Sequence, residues 1–278
     1  MNPSDRSDLA GFLEALGYDE EPMGMFYTDR EPARGYAPKP GRLPSVEVEA
    51  RKEVDFQGLW RDFSCVIGQL WIARKRRGAA YFDHERFGCL GGAFFLGFLK
   101  PQLDFIVHYV STGIPGVIEG ERYLPSPEVT RAFYEHLDPR PAPRRFCVFK
   151  PLSQFAPDEK PELVIFFARP ETISGLHQLA TFVTSDLEAV QSPFGAGCAN
   201  MVTWPIKFLQ QGKLKAVLGG WDPSERRFVK ADELTFTVPY EMFVRMLEQW
   251  PQSFLTADAW SQVKKRILRS KKAWGEGD

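Results

Sequence analysis

Six consecutive apolar residues, Leu163 to Ala168, sit between Glu162 and Arg169. A run this short and unbroken predicts a buried strand, since a surface helix or half-buried strand would interleave polar residues. Met23 to Tyr27, Ala80 to Phe82, Leu103 to Val110, Phe146 to Phe149, Ala216 to Leu218 and Leu234 to Val238 have strand character around it. Helical patterning covers Asp8 to Leu16, Ser174 to Thr184, Trp204 to Gln211, Tyr240 to Gln249 and Asp258 to Lys272. A longer helix is predicted from Val54 to Arg76, with Phe56, Leu59, Trp60, Phe63, Ile67, Leu70 and Trp71 as its apolar stripe and basic residues at its end. Ser126 caps a further helix through His136, with Pro127 at its first position. Asp29 to Val46 is rich in Pro and Gly and reads as loop.

The predicted fold is α+β, in two similar halves that each carry a small mixed sheet covered by helices. They span residues 1–138 and 146–278 of one compact module, with the proline-rich stretch 139–145 between them. Each half runs strand, helix, strand, then a Phe-Gly segment ending in a cysteine that opens a helix: Phe87-Gly88-Cys89 and Phe194 to Cys198. That order suggests a pseudo-twofold internal repeat. With 278 residues and 23 Phe and 7 Trp, the chain can build a large core or a ring-lined pocket.

The net charge of -1 gives no field that would draw nucleic acid or an anionic membrane, and neither is predicted as a partner. The basic run Lys264 to Lys272 reads as a solvated helix face. The start of the chain has no apolar segment behind a basic one, and the near-apolar run Gly88 to Leu99 falls short of the ~20 residues of a membrane span. The predicted location is the cytoplasm, with Cys65, Cys89, Cys147 and Cys198 as reduced thiols or ligands.

Chemistry is expected at three of these cysteines. Cys89 and Cys198 precede helices, whose N-termini favour a thiolate. Cys65 lies off the apolar stripe of its helix, on a face with Gly58, Arg61, Asp62, Gly68 and Gln69. Three thiolates could hold an iron-sulfur cluster or a zinc, each with one open position, whereas inert packing is the competing reading. Cys147, in a strand, is expected in the core. Gly91, Gly92, Gly195, Gly197 and the pair Gly219-Gly220 mark close backbone approaches or positive φ, where exposed N–H groups could meet an anion. Arg226 could clamp a ligand carboxylate. His84 and Glu85 precede Cys89, so a base beside a thiolate is conceivable; there is no HExxH or GxSxG motif.

The order of several short motifs resembles a known family. Glu21 to Phe26, Cys65, Cys89-Leu90-Gly91-Gly92-Ala93 with Leu96-Gly97, Glu119 to Tyr123, Lys150-Pro151-Leu152, Leu163 to Phe167, Gly197-Cys198, Asp232-Glu233-Leu234 and Val238-Pro239 are similar to domain-of-unknown-function family 169, the uncharacterised ArCR proteins. The likeness covers Glu20 to Leu247 and departs near Asn200 to Lys207 and Trp221 to Arg227. It implies a prokaryotic cytoplasmic protein without a settled activity, in a context of anaerobes and archaea that suits an oxygen-sensitive cofactor. The leading expectation is a protein that binds a metal or iron-sulfur cofactor through Cys65, Cys89 and Cys198 in a crevice between the halves. Gly91, Gly92, Gly197 and Arg226 would line that site. The alternatives are a small-molecule binding or sensor module without metal, and a thiol-dependent enzyme. A small-molecule ligand is expected in each case, and a homodimer is compatible with the sequence.

Overall fold

A computed structural model describes residues 3–41, 64–100 and 102–275. Leu163–Ala168 is a strand (β6), buried at every residue as its composition requires. It pairs antiparallel with β1 (Met23–Thr28) on one side and with β9 (Leu234–Pro239) on the other. Beyond β1 come β5 (Phe146–Pro151) and β2 (Ala80–Phe82); beyond β9 come β8 (Ala216–Gly219) and β7 (Val190–Gln191). The order is therefore β2-β5-β1-β6-β9-β8-β7, antiparallel except for the β7–β8 pair. A separate ribbon is formed by β3 (Gly113–Ile114) and β4 (Ile118–Glu119).

Alternation along the strands divides the core in two. Leu163, Ile165 and Phe167 face one layer with Met23, Met25, Phe82 and Phe149. Val164, Phe166 and Ala168 face the other with Phe146, Val148, Phe236 and Val238. The second layer is closed by α1 (Pro3–Leu16), α6 (Pro170–Thr184), α8 (Tyr240–Gln249) and α9 (Asp258–Ala273). The first layer is closed by α2 (Val66–Arg76), α3 (Leu90–Phe95), α4 (Asp104–Val110), α5 (Pro127–Leu137) and α7 (Trp204–Gln210), the last entered through a π-helical turn over Ala199–Thr203. No described helix is long and apolar enough to cross a membrane.

The α+β class holds, and the internal organisation differs from the expectation. The described strands do not form two small sheets, one per half. One sheet of seven strands runs through both, and β5 inserts between β2 and β1. No clear twofold repeat relates the halves among the described residues. Leu103 to Val110 is not a strand; Asp104–Val110 is the helix α4, with Asp104 in its first turn and Phe105, Ile106 and Val107 buried. The expected helix from Val54 also changes. Ser64 and Cys65 are non-helical, and α2 begins at Val66; the stretch before Ser64 lies outside the described residues.

Candidate functional site

Cys65 is the N-cap of α2, with extended backbone, and not a mid-helix residue. Its expected face companions Gly58, Arg61 and Asp62 lie outside the described residues. Cys89 is the N-cap of α3, and its Sγ accepts the Gly92 N–H at 3.2 Å. Cys198 immediately precedes the π turn. Three cysteines distant in the chain thus stand at the starts of three helical segments on the same face of the sheet.

The first two starts are joined through backbone. The N–H of Ser64 donates to the carbonyl of Gly88 at 3.2 Å. Gly88 has φ +84°, and a Cβ there would lie 2.7 Å from the Ser64 oxygen, so both shape and conformation require glycine. Gly92 is likewise a close approach: its Cβ would stand 2.6 Å from Cγ2 of Val66. The backbone N–H of Val66, in the first turn of α2, acts with that of Gly92 to lower the Cys89 pKa, against the larger effect of burial. The third start is tied in by Thr203, whose hydroxyl donates to the Phe95 carbonyl at 2.8 Å. Gly91 lies within α3 and Gly197 beside Cys198.

Helix starts were expected to favour thiolates here. Burial wins instead, because removing a thiolate from water outweighs the few N–H groups offered. Burial pushes Cys65 up despite the Gly68 and Ile67 N–H groups. Cys89 is pushed up to about 12 by burial and then by the charge of Cys65. Cys198 is raised well above its usual range by burial, then by Cys89 and Cys65. Cys65 therefore acts on Cys89, and both act on Cys198, and each shift favours the protonated thiol. Cys147 is buried in β5, as expected for core.

An acidic loop between β8 and β9 completes the site. Asp222 raises the pKa of each of the three thiols and of Glu225 and Glu121, in every case behind burial. Glu225 is 1% exposed and neither carboxyl oxygen has a hydrogen-bond partner among the described residues. Burial, then Asp222, holds its pKa up to about 8. Its carboxyl lies against Gly197, where a Cβ would be 1.4 Å from Oε2. Asn200 is also 1% exposed, with Oδ1 unpartnered among the described residues. Tyr109 donates to Glu121 at 3.1 Å at the same acidic end.

Arg226 does something other than clamp a ligand. Its Nη1 donates to the carbonyls of Gly220 and Glu233 at 3.2 and 2.6 Å, and its Nη2 to those of Lys230 and Ala231 at 2.9 and 2.7 Å. It folds the loop that carries Glu225. Glu233 is paired with Arg74 of α2 at 3.2 Å. His84 packs edge-on to Phe98 at 5.2 Å between ring centres. Among the described residues, no three Cys, His, Asp or Glu side chains are set to hold one metal ion. Glu225, Asn200 and Asp222 were not singled out in the sequence, although they lie in the stretches Asn200 to Lys207 and Trp221 to Arg227 that depart from the family pattern.

The fold and site define an α+β protein with three buried or half-buried thiols at helix starts, beside an acidic loop. The chain belongs to the DUF169 family, described as uncharacterised ArCR proteins, which it matches over residues 12–249. No curated protein and no solved structure matches it significantly.

Proposed function

We propose that the protein binds a thiophilic metal cofactor of cluster size through Cys65, Cys89 and Cys198. The observation that carries this reading is the placing of three thiols, Cys198 buried and Cys65 and Cys89 half-buried, at three helix starts tied together by Ser64–Gly88 and Thr203–Phe95 hydrogen bonds. The donor set fits such a group: three sulfurs, with the Gly92 N–H already directed at one of them. Buried, protonated thiols are also what a cation would displace protons from, since bound thiolates need a positive partner in a dry setting. Two sulfurs sharing one zinc at about 2.3 Å each can stand no more than about 4.6 Å apart. When bound, an iron-sulfur group would supply one-electron chemistry. The chain's own part would be to exclude water with Phe87, Phe94 and Phe95 and to fix the sulfurs by the two glycine approaches. The reading places the protein in a reducing compartment such as the cytoplasm.

The test is to purify the protein without oxygen and measure iron, sulfide, zinc and visible absorbance. Stoichiometric iron and sulfide, lost in Cys65→Ser, Cys89→Ser and Cys198→Ser, is the expected result. A colourless protein that takes up no metal after reconstitution overturns it.

A further inference from the structure

Glu225 and Asn200 present three buried acceptor atoms that accept from nothing among the described residues: Oε1, Oε2 and Oδ1. Both side chains are 1% exposed. Such atoms are costly to bury unmatched, so native proteins supply them with donors. The same short loop borders both groups. A Cβ on Gly195 would come within 3.2 Å of Asn200 Oδ1, and one on Gly197 would collide with the Glu225 carboxyl. Side chains at either position would crowd the place where these acceptors lie.

Neighbouring cations are engaged elsewhere. Arg226 gives its two terminal nitrogens to four carbonyls. Arg227 lies over the Phe228 ring at 4.6 Å, and Lys207 donates to the His136 carbonyl. Of the charges that act on Glu225, that of Asp222 outweighs the opposing one of Arg226, and Asp222 acts on Glu121 as well. An anion is therefore disfavoured, and the missing component must bring donors and positive charge. A divalent metal would want several carboxylates, and no three described Cys, His, Asp or Glu side chains are arranged around one point. A primary ammonium group brings three N–H donors and one positive charge on a compact head, matching the Asn200 oxygen and the two Glu225 oxygens once the carboxyl has released its proton to solvent on binding.

We propose that the niche between Glu225, Asn200 and the loop Gly195 to Gly197 binds a primary ammonium group, either the ammonium ion or the amino end of a small molecule. The site stands on these acceptors and does not require a metal at the cysteines.

The experiment is thermal unfolding of the full chain in ammonium, methylammonium and tetramethylammonium chloride at equal ionic strength, with manganese(II) as a hard-metal probe. Tetramethylammonium carries the same charge without N–H donors. Ammonium should raise Tm saturably, by about 3 °C at ten times its Kd, and tetramethylammonium should not. A matching response to methylammonium assigns the amino end of a small molecule; a response to ammonium alone assigns the free ion. Glu225→Gln is nearly isosteric and removes a buried acid, so it should fold, and its affinity should fall at least tenfold; Asn200→Ala should weaken binding severalfold. Equal effects of all three salts, an unchanged response in Glu225→Gln, or stabilisation by manganese alone overturns the proposal. The same measurement on a Cys65→Ser, Cys89→Ser, Cys198→Ser variant separates this niche from the cofactor reading, since the ammonium response should persist there.

Discussion

The carboxyl of Glu225 lies so close to Gly197 that a Cβ on the glycine would sit 1.4 Å from Oε2 and 2.6 Å from Cδ. The acidic loop and the Cys198 loop are thus fitted to each other at one residue pair. Gly197→Ala should destabilise the protein by about 2 kcal/mol or more, because both sides are packed and little can yield. Glu225→Ala removes the obstacle, so the double variant should be less destabilised than the sum of the single changes. A double-mutant cycle by urea unfolding should return a coupling of about 1 kcal/mol or more. Additive effects would show that the loops separate at no cost.

The parts of this molecule that were legible in its sequence are those where local pattern and tertiary role agree. Leu163–Ala168 is apolar on both faces because both faces of the sheet are covered. Ser126 and Pro127 mark the start of α5 because an N-cap depends on nearest neighbours. Asp104–Val110 misled because aromatic and β-branched residues suit a strand, yet here Phe105, Ile106 and Val107 cover the first core layer as a helix. The cysteines were legible as residue types, whereas their environment was not: burial reverses the pKa shift that helix starts alone would predict. Glu225 left no local signal at all. Its neighbours Ser224, Arg226 and Arg227 are those of a surface turn, and only the long-range fit to Gly197 buries it.

Glu225 should make stability depend on pH in an unusual direction for a carboxylate. Its pKa is raised from 4.5 to about 8 on folding, by burial and then by Asp222. Between those values the folded chain holds a proton that the unfolded chain has released. The contribution is therefore fully present below about pH 4.5, is lost as pH rises toward 8, and is flat above. The slope can reach about 1.4 kcal/mol per pH unit in that window. Urea unfolding of the protein and of Glu225→Gln at pH 5, 6.5 and 8.5 isolates this group. The difference between the two should widen with pH in favour of the glutamine; a constant difference would mean that Glu225 ionises normally.

Arg74 holds the acidic loop against α2. It pairs with Glu20 at 2.6 Å and Glu233 at 3.2 Å, and its guanidinium lies 4.0 Å over the ring of Phe167. The Glu233 side chain is 3% exposed, so losing its arginine leaves a buried carboxylate held, among the described residues, by the Lys230 ammonium and the Lys230 backbone N–H, each at 3.1 Å. Arg74→Met keeps most of the packing and should cost about 3 kcal/mol. Adding Glu233→Gln removes the stranded charge and should recover part of that loss. Arg74→Lys should not rescue fully, since an ammonium cannot reach both carboxylates while stacking on the ring. Thermal melts of the four proteins decide it, and an undamaged Arg74→Met would show that the network contributes little.

Thiol reactivity separates the cofactor reading from nucleophilic catalysis. A thiol attacks as its thiolate, and a catalytic cysteine needs a pKa near or below neutral. Here burial, reinforced by neighbouring thiols, raises Cys89 to about 12 and Cys198 well above its usual range. Metal-free protein should therefore react slowly with iodoacetamide at pH 7 at Cys89 and Cys198, and Cys147, 0% exposed, should be slower still. All should label quickly in urea at higher pH, where the chain is open and the thiolate fraction larger. Mass spectrometry of peptides after timed quenching gives each rate. A single cysteine that labels within seconds at pH 7 in the folded protein would instead mark a nucleophile, and the gathering of thiols would then need a catalytic explanation.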